Sequence, residues 1–460
     1  MANAGGGSGS LELGRGETLV GVATGTADGG VAIVRLSGVE AFAIAEARIG
    51  GRMTPRRLVL RSFALNEGAK EECMVVFMEG PRSFTGEDVV EFHVHGGEQN
   101  VRAVVETLLS GGAAVAGPGD FSRRAFANGR RSLDQLEGIA ALIGARSRAA
   151  LGQARRLVAG ELGREVESVC ARLSLLRIEV EAHLDFPEDV GKADWSRWIV
   201  VAAEERDRLA GWLRRFELGR RAREGGRAVL AGPPNAGKSA LFNCLLGRER
   251  ALVSPQAGTT RDYVEAEIDL GGRRLVLVDT AGLRAASNAV ELAGVAFSEE
   301  QISGADLVLW VEAVGDSPAM VVAARERLRS ETEARGGSWL DVENKRDLGG
   351  ARRPWLGVSC EDGSGIAELW SDLGAWFGVS EDSWVGLARH RRRAEEGGQA
   401  LERTLELLEA SRAGDERLEI VALELQIAER RLGEIGGRSG FGPVGQDVLD
   451  AIFSSFCIGK

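Results

Sequence analysis

The sequence predicts a multidomain chain of mixed α/β and α structure, and three patterns support this fold class. Short β-like runs broken by glycine-rich turns extend from about Thr18 to Gly117, which favours a small α+β domain. A glycine-rich loop, Gly232–Ser239, joins a short apolar run to a helical pattern. Apolar residues at four-and-three spacing occur on both sides of that loop region and indicate packed helices. At 460 residues and 44% hydrophobic, the chain can fill two or three cores, since single cores rarely grow past roughly 250 residues.

The N-terminal region reads as alternating short strands with one helix. The predicted strands are Thr18–Ala23, Val31–Leu36, Cys73–Met78 and Val89–His95, and the predicted helix lies near Val101–Leu109. The preceding residues 1–15 read as a flexible tail, since the Gly/Ser-rich start lacks the basic and apolar stretches of a signal peptide.

Two sets of helices flank the glycine-rich loop. The first stripe consists of Leu162, Val166, Val169, Leu173, Leu176 and Val180, and the later one of Leu418, Val421, Leu425, Ala428 and Leu432. Asp185-Phe186-Pro187 ends the first long helix, and another helix is predicted from about Trp195 to Leu218. Because the late helices need partners, we expect an α/β domain inserted into one discontinuous helical domain. The predicted segments are 1–15 (tail), 16–130 (N-terminal domain), 131–219 (first helical segment), 220–378 (inserted domain) and 379–460 (second helical segment).

The loop Gly232–Ser239 matches the pattern GxxxxGK[ST], in which curled backbone N–H groups and a helix N-terminus surround phosphates. Lys238 is expected to reach the β- and γ-phosphates, and the Ser239 hydroxyl to ligate Mg²⁺. The predicted phosphate-contacting residues are Asn235, Ala236, Gly237, Lys238, Ser239 and Ala240.

Three further nucleotide motifs follow in order. Gly258–Asp262 offers Thr259 and Thr260 as a first switch, with Thr260 on the Mg²⁺ ion and γ-phosphate. Gly271-Gly272 predicts a hairpin between two strand-like runs, Val264–Leu270 and Arg273–Val278. The second run leads into Asp279-Thr280-Ala281-Gly282, a DxxG motif in which Asp279 and Gly282 respond to the γ-phosphate.

The last motif selects the base. It comprises Asn344, Lys345 and Asp347, followed by Ser359. A carboxylate at Asp347 can accept from guanine N1–H and the exocyclic amine, which adenine does not offer. Four such motifs in this order within about 130 residues predict a GTPase that binds GTP and Mg²⁺.

The residues leave the catalytic detail open. Leu283 stands where Ras-like switches place a glutamine that orients the attacking water, and Arg261 and Arg284 fit solvated switch residues better than an arginine finger. Glu291 is the nearest downstream carboxylate, and its position alone is more typical of an exposed glutamate at a helix start than of a catalytic residue.

Asn235, Gly258–Asp262, Asp279–Arg284 and the terminal Phe456-Cys457-Ile458-Gly459-Lys460 together resemble the MnmE (TrmE) family of tRNA-modification GTPases. The resemblance extends from about Thr18 to Lys460. It implies that K⁺ takes the role of an arginine finger and that Glu291 is the catalytic glutamate. The implied K⁺ contacts are Asn235, Ser254, Gln256 and Thr259. Asn288 and Ala289 replace acidic residues common before the family's glutamate, which leaves an inactive copy as an alternative.

The same resemblance assigns chemistry to the N-terminal domain. It implies a dimerising domain that binds a tetrahydrofolate derivative, 5-formyl or 5,10-methylene, at Arg35, Glu91, Arg130 and Lys460. Position 130 is usually lysine in the family, so charge is kept while the donor geometry changes. Cys457 is a candidate catalytic thiol or a small buried hydrophobe.

The resemblance further implies a homodimer that works with the flavin-dependent partner MnmG (GidA), with FAD held by that partner, in a heterotetramer. The product would be an aminomethyl or carboxymethylaminomethyl group at C5 of the wobble uridine of tRNA. A ribosome-assembly GTPase switch without folate chemistry is the alternative, because its nucleotide motifs would look much the same.

Composition limits where RNA could bind. A net charge of −11 offers no general basic surface, so tRNA contacts must be local. The candidates are Arg123, Arg124, Arg130 and Arg131, or the run Arg389–Arg393, of which the run fits a solvated helix face better. Five cysteines without a CxxC pair favour reduced thiols and a cytoplasmic enzyme, and the absence of about 18 consecutive apolar residues argues against a membrane span.

Overall fold

The computed structural model describes residues 16–25, 29–247, 264–279, 302–315, 318–349, 354–377, 387–412, 417–437, 445–454, 456 and 459. Two compact units make up the chain. Unit 1 comprises residues 1–140 and 433–460, and unit 2 comprises residues 141–432. The first unit therefore joins the two ends of the chain.

The described strands and helices follow in chain order. The first group is β1 (Leu19–Val22), β2 (Val31–Ser37), α1 (Ala41–Ile49), β3 (Val59–Ala64), β4 (Lys70–Met78), β5 (Val89–His95), α2 (Glu98–Ser110), β6 (Ala114–Val115), α3 (Asp120–Ala127) and α4 (Leu133–Gly144). The second is α5 (Arg148–Val158), α6 (Glu161–Asp185), α7 (Trp195–Glu224), β7 (Gly226–Ala231), α8 (Lys238–Gly247), β8 (Val264–Asp269), β9 (Arg274–Asp279) and β10 (Leu307–Ala313). The third is α9 (Ala319–Ala334), β11 (Ser338–Asn344), a 3₁₀ turn (Arg346–Leu348), β12 (Leu356–Gly357), α10 (Ile366–Trp376), α11 (Ala388–Arg412), α12 (Leu418–Gly436) and α13 (Gln446–Ser454).

Unit 1 is built on a six-stranded sheet in the order β3-β4-β5-β2-β1-β6. All neighbours run antiparallel except β1 and β6. Successive side chains of a strand point to opposite faces, so one face carries the buried core residues Val34, Val75 and Phe92. The other face of β2 and β5 carries half-buried polar residues, Arg35 and Glu91 among them. A second, polar face is thus available for a site.

The C-terminal helix α13 packs on α3 within unit 1. Phe453 is fully buried and its ring lies 6.5 Å from that of Phe126. Gly119 has a φ of 71°, and a Cβ there would lie 2.4 Å from the carbonyl oxygen of Phe453. A 2.7 Å ion pair between Arg123 and Asp450 adds a polar tie. Close packing at a glycine therefore holds the end of the chain against the N-terminal domain.

Unit 2 contains a second six-stranded sheet in the order β12-β11-β10-β7-β9-β8. Its strands are parallel apart from β8, which forms a hairpin with β9. The hairpin turn has positive φ at both central residues, 63° at Gly271 and 88° at Gly272, as a two-residue glycine turn predicts. In β10, six of the seven residues are buried, which is typical of a parallel strand covered by helices on both faces.

The helices of unit 2 pack through the apolar stripes seen in the sequence. On α6 the six stripe residues from Leu162 to Val180 are all at most 3% exposed. The α6 residues Cys170 and Arg177 contact Glu429 on α12, the latter through a 2.9 Å ion pair. Helix α7 also packs along α11. Helices that precede the second sheet in the sequence therefore pack against helices that follow it. The predicted fold class of α/β plus α is confirmed. In the part of the chain that the structure describes, no helix is long and apolar enough to span a bilayer.

Candidate functional site

The loop that follows β7 curls tightly because two of its glycines have no room for a side chain. Gly232 has a φ of 140°, and a Cβ there would lie 2.0 Å from the carbonyl oxygen of Val311 on β10. Gly237 has a φ of 89°, and its Cβ would lie 2.3 Å from Nδ2 of Asn344. Positive φ and close backbone approach are both conditions that glycine alone meets readily. The loop is thereby held against the carboxyl ends of β10 and β11.

Lys238 begins α8 and points back over this loop. Its Nζ donates to the carbonyl oxygens of Gly232 and Pro233, at 2.9 Å each, and the residue is only 8% exposed. The N-terminus of α8 adds positive potential at the same place. Ser239 and Ala240 are exposed in the same turn. A buried ammonium, a helix N-terminus and an exposed hydroxyl form a suitable cradle for phosphates and a hard cation.

Asn235 lies at the outer end of the loop. It is exposed and has a φ of 61°, in the left-handed region that asparagine tolerates better than most residues. An exposed position on the phosphate loop is compatible with a cation ligand.

The base-selecting motif is joined to the phosphate loop. Asn344 ends β11, is 2% exposed, and donates from Nδ2 to the carbonyl oxygens of Ala236 at 3.0 Å and Gly237 at 3.4 Å. The following Lys345 has a φ of 63°, which turns the chain sharply at the strand end. One amide side chain thus fixes the position of the base motif relative to the loop that precedes α8.

Asp347 and Ser359 form the other half of the base motif. The Ser359 hydroxyl is fully buried and donates to Oδ1 of Asp347 at 2.7 Å. The same hydroxyl accepts from the backbone N–H groups of Glu361 and Asp362, at 3.2 and 3.4 Å. Asp347 itself is exposed, so its carboxylate is oriented by Ser359 while remaining open to a ligand. A fixed, solvent-facing carboxylate can accept two hydrogen bonds from a planar base.

Asp279 ends β9 at the same edge of the sheet. It is 3% exposed and is in register with Leu230 near the end of β7, from which the phosphate loop departs. Ala236, Lys238, Asp279 and Asn344 therefore share one end of the sheet, as expected for a parallel α/β nucleotide fold. Eight predicted site residues lie outside the described residues: Ser254, Gln256, Thr259, Thr260, Gly282, Glu291, Cys457 and Lys460.

Two cysteines near Asn344 were not predicted to belong to this site. Cys360 Sγ lies 3.9 Å from Asn344 Oδ1, and Cys244 on α8 packs against the same hydrophobic core as Cys360. Burial, followed by the neighbouring Cys244, raises the pKa of the Cys360 thiol to about 12. The thiol therefore stays protonated and can donate to the amide oxygen while Asn344 Nδ2 donates to the loop. Cys360 directly follows Ser359, so adjacency to the motif was the available signal.

A second polar site lies on the half-buried face of the unit 1 sheet. Arg35 on β2 and Glu91 on β5 are opposite each other in register. Arg35 contacts Glu91 Oε1 from Nε at 2.9 Å and from Nη2 at 2.7 Å, and both side chains are less than one-fifth exposed. From Nη1, Arg35 donates to the carbonyl oxygen of Gly459 at 3.0 Å. The predicted pair is therefore brought together with the penultimate residue of the chain.

Gly459 is seated closely. Its φ is 91°, and a Cβ would lie 2.0 Å from the carbonyl oxygen of Val22. The rings of Phe84 and Phe121 each lie 5.6 Å from the Arg35 guanidinium, within cation–π range. Sequence reasoning did not identify these rings, because nothing in their local spacing marks them.

Arg130, the third predicted residue of this site, is exposed. Its Nε donates to the carbonyl oxygen of Ser83 at 3.3 Å, on the same loop as Phe84. Gly86 of that loop has a φ of 83°, and a Cβ there would lie 2.9 Å from Cγ of Arg130. Arg130 thus lies against the β4–β5 loop that supplies an aromatic wall to the Arg35 site.

The arginine clusters considered for RNA contact are largely neutralised. Arg124 pairs with Glu87 at 3.0 Å, and Arg123 is taken up by Asp450. On α11, the arginines at 391, 392 and 393 all pair with glutamates at 395 or 396. Within this run only Arg391 and Arg392 are exposed, while His390 is fully buried, so part of the run faces solvent and part faces the helical core. These ion pairs make Arg123, Arg124 and the α11 run weak candidates for binding a polyanion, whereas no ion pair of Arg130 or Arg131 occurs among the described residues.

Comparison with known proteins covers almost the whole chain. The family model described as the N-terminus of the GTP-binding protein TrmE matches residues 18–130, and that described as the MnmE helical domain matches residues 133–457. The tRNA modification GTPase MnmE of Halorhodospira halophila is 39% identical over 467 residues, which are 96% of this chain and 96% of that protein. The protein of the same name from Methylobacterium sp. is 40% identical over 464 residues, 96% of this chain and 100% of its own.

Among solved structures, the G domain of the T. maritima FeoB iron transporter aligns with 33% of this chain and 98% of its own. The identity is 21% and the TM-score 0.26, too low a likeness to support a conclusion about this chain.

Proposed function

The chain belongs to the MnmE family of tRNA modification GTPases, and on this premise we propose that it binds and hydrolyses GTP in the course of modifying tRNA. The contact of Asn344 with Ala236 and Gly237 is the observation that supports this best. It joins a guanine-selecting motif to a phosphate loop, so one bound nucleotide can reach both. A ribosome-assembly switch would share this nucleotide site and would have no use for the Arg35 site.

The residues of the phosphate loop fit a Mg²⁺-bound nucleoside triphosphate. The glycines at 232 and 237 allow the backbone to curl where a Cβ would collide with Val311 or Asn344, and the exposed Ser239 hydroxyl is a hard oxygen ligand. Mg²⁺ and K⁺ would neutralise charge on the β- and γ-phosphates, a role for which Asn235 offers a side-chain oxygen. Lys238 would exchange its loop carbonyls for phosphate oxygens on binding. Thr260 and Glu291 are proposed to close on the γ-phosphate and to position the water.

The nucleotide assignment is tested by a GTPase assay with matched variants. At equal ionic strength, hydrolysis is expected to be faster in KCl than in NaCl, while equal rates would remove the K⁺ assignment. Glu291→Ala is expected to retain GTP binding and to lower turnover by at least about tenfold, since general base catalysis contributes roughly 10²–10⁴. Glu299→Ala, the same change farther along that segment, is the control. Turnover unchanged by Glu291→Ala would show that this residue does not act on the water.

The second polar site fits a folate. A tetrahydrofolate derivative carries carboxylates in its glutamate tail, and an arginine such as Arg35 or Arg130 can bind them. Its pterin ring carries N–H groups, which can donate hydrogen bonds to a carboxylate such as Glu91. The rings of Phe84 and Phe121 are suited to the flat faces of such a molecule. When bound, the folate would supply a one-carbon group. The chain's own residues would bind and orient it, and Cys457 and Lys460, which lie outside the described residues, remain proposed members of this site.

The remaining elements of the proposal concern partners and product. We assign to this chain a homodimer that works with a flavin-dependent MnmG-type partner, which holds FAD, to add an aminomethyl-type group at C5 of the wobble uridine. Complementation of a strain lacking the modification, followed by nucleoside analysis of its tRNA, tests this directly. Restored modified uridine supports the assignment, and tRNA that stays unmodified while the protein is expressed and hydrolyses GTP excludes it. A titration with 5-formyltetrahydrofolate separates this function from the ribosome-assembly alternative, which predicts no binding.

A further inference from the structure

Five arginines gather at one edge of the unit 1 sheet. None of them forms an ion pair with an acidic side chain among the described residues. From Ala47 to Asn66 the sequence contains arginines at five positions and no acidic residue. Four of them lie in or just before the edge strand β3, and a fifth residue, from the β4–β5 loop, joins them. We call the set Arg52, Arg56, Arg57, Arg61 and Arg82 the arginine patch. All are exposed except Arg61, which is half-buried.

The contacts of the patch connect its members without neutralising them. Arg56 donates from Nη2 to the carbonyl oxygen of Arg82, and Arg61 donates from Nη2 to the carbonyl oxygen of Arg52 at 3.4 Å. Neutral backbone oxygens orient these guanidinium groups and leave their charge in place. Glu79 is exposed in the turn that leads to Arg82, and no ion pair joins it to the patch in the described stretches of the chain.

The members of the arginine patch differ in this respect from several other arginines of unit 1. Arginines elsewhere in unit 1, such as Arg35, Arg102, Arg123 and Arg124, each form an ion pair with a carboxylate. In a chain of net charge −11, a cluster of positive charges without acidic partners creates a local positive field. Such a field favours a polyanion over a neutral or basic partner.

The backbone at Arg56 supports a binding role independently of charge. Arg56 has a φ of 61°, in the left-handed region where most side chains are strained. A 2.7 Å hydrogen bond from its backbone N–H to the carbonyl oxygen of Phe77 holds it there. Glycine or asparagine would adopt this conformation at lower cost. An exposed arginine at a position that suits glycine indicates that the side chain is used.

The same edge argues against a second copy of the chain as the occupant. Leu58, directly before β3, and Leu60 within it are 47% and 58% exposed, and an open edge strand can pair with another strand. A two-fold contact through β3, however, would bring the arginine patch against its own copy, because such interfaces use the same surface twice. Like charges at that distance repel, whereas phosphates complement them.

We propose that the arginine patch binds the phosphate backbone of tRNA. The proposal rests on the proposed function, since it names where the tRNA substrate contacts this chain. Phosphate contacts position an RNA without reading its sequence, so the patch would orient tRNA on unit 1 while other groups select it. It also supplies the local basic surface that an acidic chain needs for RNA.

The test measures binding of unmodified tRNA to the full chain as a function of salt. The double variant Arg57→Ala/Arg82→Ala should raise the tRNA Kd about tenfold at ~0.1 M salt and lower the slope of log K against log salt by about 2, one for each lost phosphate contact. The control Arg102→Ala/Arg164→Ala removes two exposed arginines outside the patch and should leave Kd and slope unchanged. Equal affinities for the patch variant and the control would overturn the proposal.

A further variant excludes loss of folding as the cause. Arg56→Gly removes one charge and relieves the φ of 61°, so it should unfold at the same or a higher temperature while binding tRNA more weakly. Weaker binding with lowered thermal stability would instead indicate structural damage and would count against the patch.

A changed oligomeric state with unchanged tRNA affinity would make β3 a contact between copies and overturn the RNA assignment. Nucleoside analysis of the wild type tests the proposed function separately from the arginine patch. If the wild type restores the modification and the patch variants still bind tRNA normally, the patch proposal is refuted and the proposed function stands.

Discussion

Replacing Gly237 by alanine tests whether Asn344 couples the base motif to the phosphate loop. The new Cβ would lie 2.3 Å from Nδ2 of Asn344, well inside any normal contact, and the φ of 89° is itself unfavourable for alanine. Either the loop or the Asn344 side chain must move. In both cases the donations from Asn344 to the carbonyl oxygens of Ala236 and Gly237 are lost or weakened.

The size of the effect follows from these two terms. An alanine in the left-handed region costs about 1–2 kcal/mol, and loss of a buried amide's hydrogen bonds costs about 1–3 kcal/mol. Since only the undistorted loop binds nucleotide well, a combined cost of roughly 2–5 kcal/mol should raise the Kd for GDP by about 30- to 4000-fold, at 1.4 kcal/mol for each factor of ten. Titration of a fluorescent GDP in Mg²⁺ buffer measures this.

A double-mutant cycle isolates the contact. Gly271→Ala, at a φ of 63° with no atom within 4 Å of the added Cβ, carries the backbone cost without the clash and should leave the GDP Kd within about threefold of wild type. In an Asn344→Ala background the clash is gone, so Gly237→Ala should cost at least ~1 kcal/mol less than in the wild type. Strictly additive effects of the two changes would refute the coupling.

Two further predictions concern unit 1 and the thiols. Arg35→Ala removes the guanidinium that contacts Glu91 and Gly459, and it should weaken 5-formyltetrahydrofolate binding by at least about tenfold. The control Arg102→Ala should leave the affinity unchanged. Equal affinities of the two variants would show that Arg35 does not belong to the folate site. Burial raises the pKa of the Cys73 and Cys170 thiols to about 12, so their thiolates form only as the pH rises toward that value. Site-resolved alkylation at pH 8 should therefore be far slower at these two cysteines in the native protein than in the urea-unfolded chain, and similar rates would contradict the burial.

Local signals predicted most of the fold. The stripe from Leu162 to Val180 identified the buried face of α6 because a helix repeats its faces every three or four residues. Gly271-Gly272 located the β8–β9 turn because positive φ at two successive residues suits glycine. Element ends were less predictable. Helix α7, for example, continues past Leu218 to Glu224, although Gly219 is a residue that often ends a helix, because good helix formers follow it until Gly225.

Long-range contacts were beyond local signals. The strand β3 was not predicted, because its apolar and polar residues do not alternate clearly: an exposed position carries Leu60 and a half-buried one carries Arg61. The contacts of Phe84 and Phe121 with Arg35 join residues from separate elements, and no spacing along the chain encodes them. The same holds for Cys244 and Cys360, which meet only because α8 and the end of β12 lie on one side of the sheet. Motifs of short span therefore predicted which residues have roles, while the supporting contacts required the fold.

One strand connects the nucleotide loop with the helices of unit 2. Strand β7 carries the phosphate loop at its carboxyl end, and at its other end Gly225 alone separates it from the long helix α7. Asp306 ties that junction, since its carboxylate pairs with Arg220 of α7 and accepts from the backbone N–H of Arg227 at 2.9 Å. A Cβ at Gly225, whose φ is 89°, would lie 2.9 Å from the carbonyl oxygen of Arg274, so the junction is packed against β9. Because a buried strand resists stretching and this junction has little freedom to bend, a shift of the phosphate loop on GTP hydrolysis would be transmitted to α7 and to α11, which packs along it.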